Sequence, residues 1–198
     1  IAIAALLALP AWLVLDTPFA TSVIAFEPGP GATFEPENIL GAPAGGSLIS
    51  QGGDTCSLGA GGMITTRFGS PARNGPGTDL VCCENPFYVI GTLDAFCEVA
   101  FVEVSTDGVH YARFPTRYSG TVGPFSTYAA MPPWWYAGFC GAMPVTQSGG
   151  DIQNPWDVAA GGGDAFDLAD LQDDPLVLSG DVNLFSIQYV RLIDIATG

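Results

Sequence analysis

Three short segments place carboxylates beside glycines at the edge of an apolar run. They are 74–85 (Asn-Gly-Pro-Gly-Thr-Asp-Leu-Val-Cys-Cys-Glu-Asn), 104–111 (Val-Ser-Thr-Asp-Gly-Val-His-Tyr) and 161–170 (Gly-Gly-Gly-Asp-Ala-Phe-Asp-Leu-Ala-Asp). Carboxylates, together with the backbone carbonyls of glycine-rich turns, are the oxygen ligands that Ca²⁺ prefers. We therefore expect Ca²⁺ as a cofactor, held by Asp79, Glu84 and Asn85 in one cluster and by Asp164 and Asp167 in a second.

The same carboxylates also have a purely structural interpretation. Asp164 would cap a short helix over 165–171, Asp167 would be solvated, and Asp79 would begin a strand with an Asx-turn. In both interpretations these loops brace one end of the domain, and the sequence leaves the choice open.

The composition argues against most catalytic chemistry. His110 is the one histidine of the chain, and it follows a turn with no nucleophile motif beside it. A Ser-His-Asp or Cys-His catalytic site would have to use this residue, so we do not expect one. The chain has no lysine for Schiff-base chemistry and no phosphate-binding loop. Paired carboxylates for glycoside hydrolysis stay open, since sequence spacing does not give their separation in space. We expect a protein that is not an enzyme.

The charge restricts the partners. Five arginines stand against twenty carboxylates, for a net charge of −15. Such a surface repels nucleic acids and anionic lipid headgroups, so we expect no nucleic-acid partner. Cations or an electropositive protein face fit better.

An apolar segment opens the sequence. Residues 1–15 carry no charge, and as a helix they would cover about 22 Å of a hydrocarbon core about 30 Å thick. Residues 1–20 are therefore predicted to be a membrane anchor or an assembly segment packed on a neighbouring subunit, and a donated strand is one form of the latter. Its expected contact residues are Ile3, Leu6, Leu9, Trp12 and Leu13.

Cysteine usage favours export to an oxidising compartment. Cys56, Cys82, Cys83, Cys97 and Cys140 lack the pairing with histidines that structural zinc sites show. We expect two disulfides and one free thiol, the alternative being five reduced, buried cysteines. In a strand the adjacent Cys82 and Cys83 point to opposite faces and need different partners. Either one with Cys97 would close a short loop, and the remaining pairing stays open.

Residues 21–198 have the pattern of a single all-β domain. Short apolar runs separated by glycine and proline predict strands at 23–26, 63–68, 80–83, 87–90, 99–104, 111–114 and 185–195. This spacing favours an antiparallel β-sandwich, jelly-roll-like, with one short helix and long irregular loops. Asp107-Gly108 predicts a hairpin turn. Arg191 shares a strand face with Ile187, Tyr189, Ile193 and Ile195, so we expect it to find a carboxylate or carbonyl partner or to lie where the strand leaves the core.

A long aromatic loop is predicted at 116–160, without helical or strand periodicity. Within it, Trp134, Trp135 and Tyr136 follow two prolines. Trp and Tyr anchor protein interfaces and membrane boundaries alike, so these three are expected to form a contact surface. The alternative is a loop folded back on itself, with the rings as a satellite core.

Four ordered motifs carry a family resemblance. The runs 74–79 leading into 84–87, then 104–108, 162–170 and 189–194 resemble the signature of bacterial exported β-sandwich proteins labelled "cell surface protein", some with PEP-CTERM-type sorting signals. The similarity covers about residues 23–198. More distantly, 104–111 with 189–191 is similar to discoidin and galactose-binding-like jelly rolls. The chain departs from the first group at Cys82-Cys83 and at Thr116, where a cysteine often pairs with one near Cys140.

The resemblance implies a location and a fold rather than a reaction. We expect an exported, non-catalytic structural or accessory subunit on the periplasmic or cell-surface side of a bacterial membrane. Its partners would be other protein subunits of a membrane complex or surface polymer, and its N-terminus would hold it there. The alternative is a jelly-roll module that binds a carbohydrate or surface ligand, with Trp134, Trp135 and Tyr136 as a stacking platform.

Overall fold

The computed structural model describes residues 18–33, 35–43, 55–121, 130–145 and 161–195. Within them, thirteen strands all pair antiparallel: β1 (Ala20–Glu27), β2 (Met63–Ala72), β3 (Leu80–Cys82), β4 (Phe87–Tyr88), β5 (Ala95–Phe96), β6 (Ala100–Ser105), β7 (Ala112–Arg113), β8 (Arg117–Tyr118), β9 (Ala130–Met131), β10 (Tyr136–Ala137), β11 (Phe139–Cys140), β12 (Asp164–Phe166) and β13 (Ile187–Asp194). One short α-helix, α1 (Pro175–Ser179), and 3₁₀ turns at Pro36–Ile39, Pro133–Trp135 and Leu168–Leu171 complete these ranges. The prediction of an all-β chain is confirmed at this level.

A six-stranded sheet organises the described residues. Its order is β1-β2-β13-β6, and both β7 and β11 pair with the outer edge of β6. Three smaller sheets pair β10 with β8, β12 with β3, and β4-β5-β9.

Alternation along β6 explains the two faces of the large sheet. Val102 and Val104 are buried in a core cluster that also contains Leu80 and Phe166 from the β3–β12 sheet. Glu103 points to the opposite face, since successive side chains of a strand alternate. A second cluster, with Val99, Met131, Tyr136 and Phe139, packs around the β4-β5-β9 sheet.

The predicted hairpin is present, with a longer connection. β6 and β7 pair antiparallel around the 106–111 loop, in which Gly108 has a φ of 79°. Ser105 accepts hydrogen bonds from the Asp107 and Gly108 amides. These side-chain contacts make the loop wider than a two-residue turn.

The predicted helix over 165–171 is wrong. Residues 164–166 form β12 against β3, and only Leu168–Leu171 turn, as a 3₁₀ segment. Its cap is Asp167, whose side chain accepts from the Ala169 amide at 2.9 Å. Asp164 is therefore a strand residue and not a helix cap.

The predicted face of the last strand is correct only in part. The pairing of β13 with β2 shifts in register between Ile187 and Tyr189. Ile187 consequently packs in the main core with Val190 and Leu192 instead of sharing the face of Arg191. A register shift exchanges the faces of the residues beyond it, which alternation alone cannot reveal.

Candidate functional site

Asp164 lies at the centre of a buried hydrogen-bonded site. It is 7% exposed, and its Oδ2 accepts from the amides of Gly141 and Ala142 at 2.8 and 3.1 Å. Its Oδ1 accepts from the Met143 amide at 3.2 Å. Gly141 permits this turn, because its φ is 88° and an added Cβ would lie 2.1 Å from the Glu98 carbonyl oxygen. Asp164 thus joins β12 to the turn after β11.

Asp79 forms a second such link. Its Oδ1 accepts from the Gly75 amide at 2.8 Å, and its Oδ2 accepts from the Leu168 amide at 2.9 Å. The side chain closes the 75–79 loop and ties it to the 3₁₀ turn that Asp167 caps. Three of the predicted calcium ligands, Asp79, Asp164 and Asp167, therefore accept hydrogen bonds from backbone amides.

The two predicted calcium clusters approach each other at Glu84 and Asp164, whose carboxyl groups interact electrostatically. In the ranges that the structure describes, no group of three or more His, Cys, Asp or Glu side chains is placed to hold a metal ion. Glu84 and Asn85 follow β3 and line a cavity. Calcium binding stays a prediction.

Four carboxyl groups have raised pKa values in the folded state, so the stability of the fold should depend on pH. Burial raises the pKa of Asp164 to about 7, although its three amide donors oppose the shift. Burial also raises the pKa of Glu84, Glu98 and Asp194. Each group therefore holds its proton more tightly in the folded than in the unfolded state. The resulting stabilisation is complete below the unfolded pKa and is lost as the pH rises through the folded pKa.

We accordingly expect the melting temperature to fall between about pH 5 and about pH 8. For Asp164 alone, about two pH units of this window lie below its folded pKa of about 7, which corresponds to about 3 kcal/mol at about 1.4 kcal/mol per unit. Thermal unfolding followed by circular dichroism at both pH values measures the effect. Asp164→Asn should shrink the difference, whereas a melting temperature that rises with pH would contradict this prediction.

An Arg-Glu-Arg group crosses three strands on the other face of the large sheet. Glu103 is 5% exposed. Its Oε1 accepts from Arg113 Nε at 2.8 Å and contacts Nη2 at 2.7 Å, while its Oε2 accepts from Arg191 Nε at 2.6 Å. Arg191 Nη2 contacts the same Oε2. The expectation of a carboxylate partner for Arg191 is confirmed.

Aromatic rings cover both guanidinium groups. The Cζ atom of Arg113 lies 4.4 Å from the Phe101 ring centroid, and that of Arg191 lies 3.6 Å from the Tyr111 centroid. Such stacking adds cation–π attraction and shields the ion pairs from water. Glu103 and Arg113 were not predicted as site residues, because they are cross-strand neighbours only in the actual register.

His110 pairs with a carboxylate, and among the described residues no serine, threonine or cysteine is hydrogen-bonded to its ring. Its Nδ1 lies 2.8 Å from Asp107 Oδ2, and this hydrogen bond raises the pKa of His110. Ser105 is buried and donates to Asp107 Oδ1 rather than to the imidazole. The arrangement is a loop-closing network and lacks the serine-to-histidine hydrogen bond that nucleophilic activation needs.

The three aromatic residues after Pro133 differ in their exposure to solvent. Trp134 is 58% exposed, Trp135 is half-buried, and Tyr136 is buried in the second core cluster. Tyr118 packs against Trp135 and Tyr136, with ring centroids 6.1 and 5.1 Å apart. Of the three, Trp134 alone is mostly exposed, and the stacking platform stays a prediction.

Two aliphatic residues that were not predicted as site residues are exposed at least as strongly as Trp134. Ile90 and Leu93 are 80% and 71% exposed at the tip of the β4–β5 hairpin. β9 pairs with β5 so that Met131 lies opposite Ala95, and the chain then runs on toward Trp134 at the hairpin-tip end. We call Ile90, Leu93 and Trp134 the apolar tip. Its signal in the sequence is an Ile-Gly-Thr-Leu turn with apolar side chains where polar ones are usual.

All five cysteines lie in the described ranges, and they form one disulfide. Cys82 on β3 is bonded to Cys140 on β11, with Cα atoms 5.9 Å apart, which joins the β3–β12 pair to the large sheet. Cys56, Cys83 and Cys97 are free thiols. The expected second disulfide and the pairing of Cys97 with Cys82 or Cys83 are wrong. Cys97 is instead buried, and its thiol donates to the Ala95 and Ala142 carbonyls.

Several predictions fall outside the described residues. Ile3, Leu6, Leu9, Trp12 and Leu13 belong to this part, as does much of the predicted 116–160 loop. In the portion of the chain that is described, no helix is long and apolar enough to span a bilayer. Comparison of the chain with family models, curated proteins and solved structures found no match.

Proposed function

We propose that the chain is an exported, non-catalytic accessory subunit of a membrane-associated complex or surface assembly. In this proposal residues 21–198 form a jelly-roll-like sandwich, and residues 1–20 hold it at the membrane or on a neighbour. The observation that carries the proposal is the apolar tip. Its three large apolar side chains are each mostly exposed, whereas Asp164, Asp79 and Glu103 are bonded to backbone amides or arginines.

The disulfide supports export. Disulfides persist in the periplasm and on cell surfaces, whereas cytosolic thiols are kept reduced. Cys82–Cys140 connects residues 58 apart in sequence, so it restricts the unfolded chain strongly. The acidic surface agrees with a location where cations or basic protein faces are the partners.

The first test counts thiols in cells that produce the protein. After denaturation without reductant, a maleimide reagent should label three cysteines, and after reduction all five. Cys82→Ser should raise the unreduced count to four, because it frees Cys140. Five labelled cysteines without reductant would contradict export to an oxidising compartment.

The second test asks whether the apolar tip is a contact surface. In mild-detergent extracts on native gels, we expect the wild type to migrate well above its own 20.5 kDa. The variant Ile90→Ser/Leu93→Ser/Trp134→Ser should lose that species and keep its circular dichroism spectrum. The matched control is Val109→Ser, because Val109 is 74% exposed on the separate β6–β7 loop. A wild type that migrates alone, or equal loss in the control, would contradict the proposal.

A further inference from the structure

A cavity of about 560 Å³ opens between the two-stranded β3–β12 sheet and the large sheet. Apolar side chains line both sides, with Ile64, Val102 and Leu192 on the large sheet and Leu80 and Phe166 on the small one. Its volume lies in the range of small-molecule sites, about 300–1,000 Å³, whose walls are mostly apolar with a few placed polar groups.

The polar groups of this cavity are acidic. Glu84, Glu98 and Asp194 all line it, and its described lining contains no lysine, arginine or histidine. The Oε2 atom of Glu84 is buried and accepts no hydrogen bond from the described residues. A buried acceptor without a donor costs free energy that a ligand N–H would recover.

Charge selects the class of ligand. Burial, and then the nearby Glu98 and Asp164 carboxylates, raise the pKa of Glu84 well above its ordinary value. An anionic ligand would add to this repulsion, and a neutral one would leave it unchanged. A cation would relieve it, because opposite charge favours the ionised carboxyl group.

The geometry favours an organic cation over a metal ion. The carboxylates around the cavity do not converge, since no described group of three acidic, thiol or imidazole side chains could share a metal. A metal ion would also leave the apolar walls without contacts. A molecule with an ammonium group and a hydrocarbon body uses both features.

We propose that this cavity binds a small organic cation whose ammonium group donates to Oε2 of Glu84 and whose apolar body packs between the two sheets. Binding then shifts Glu84 from its protonated to its ionised form and releases a proton. An alkylammonium stays charged up to about pH 10, as a lysine side chain does. The affinity for the cation therefore rises as the pH increases through the raised pKa of Glu84.

The test is calorimetric titration of the full chain with three probes of the same length: hexylamine, hexan-1-ol and hexanoate. We expect saturable binding of hexylamine, binding of hexan-1-ol weaker by about tenfold, and no binding of hexanoate. Glu84→Gln should weaken hexylamine binding by about tenfold and leave hexan-1-ol unchanged. Heats measured in buffers of different ionisation enthalpy should report the released proton.

The matched control is Asp173→Asn, which makes the same charge change at an exposed residue outside the described lining. It should leave hexylamine binding unchanged. Equal binding of hexylamine and hexan-1-ol by the wild type would overturn the proposal, and this comparison needs no variant. Absence of saturable hexylamine binding, or equal weakening by Asp173→Asn, would overturn it as well.

Discussion

Asp164→Ala is expected to lower the free energy of unfolding by about 3 kcal/mol. The substitution removes the acceptor of three amides, those of Gly141, Ala142 and Met143. Asp164 and the first two of these residues are buried, so water cannot readily replace the lost oxygen atoms. Urea denaturation at neutral pH, with the disulfide intact, measures the change.

Two further variants separate this effect from a general loss of charge. Asp164→Asn keeps one carbonyl oxygen for the Gly141 and Ala142 amides and should cost less than the alanine variant. Asp167→Ala removes one capping bond to Ala169 and should cost about 1 kcal/mol. If Asp164→Ala lowers the free energy of unfolding no more than Asp167→Ala does, the three hydrogen bonds to Asp164 do not stabilise the fold more than the single capping bond.

Glu103→Ala should destabilise the fold by about 3 kcal/mol, because breaking a buried ion pair leaves its partners without compensation. Both arginines then lose their carboxylate while remaining stacked on Phe101 and Tyr111. The strands β7, β6 and β13 also lose the side-chain bridge that crosses them. Urea denaturation again measures the change.

Arg113→Ala is the matched comparison, because the Arg113 side chain is 45% exposed and that of Glu103 only 7%. A half-exposed arginine contributes less, so we expect about 1 kcal/mol from this variant. The double variant should lower the free energy of unfolding by less than the sum of the two single changes. The reason is that either substitution alone already breaks the ion pair. Additive costs would show that the carboxylate and the guanidinium do not interact.

Local patterns in the sequence determined part of the strand content and one turn, whereas β12 overlaps the predicted helix and β8 to β11 lie in the predicted 116–160 loop. The apolar run at 99–104 marked β6, and Asp107-Gly108 marked the hairpin between β6 and β7. These features depend on residues a few positions apart, where backbone preference and side-chain period act directly. The need of Arg191 for a polar partner was predictable for a similar reason, since a charge facing a partly buried sheet requires one.

Long-range register decided what the sequence left open. Asp164 looked like a helix cap or calcium ligand, yet its hydrogen bonds go to amides 21–23 residues away in sequence. The partner of Cys82 is Cys140, 58 residues distant, while nearby Cys97 stays reduced. The cavity at Glu84 likewise exists only where β3 meets the large sheet. Local preferences decide which strands form, but the packing of whole sheets decides which side chains meet, because a one-residue shift in pairing turns every side chain to the other face.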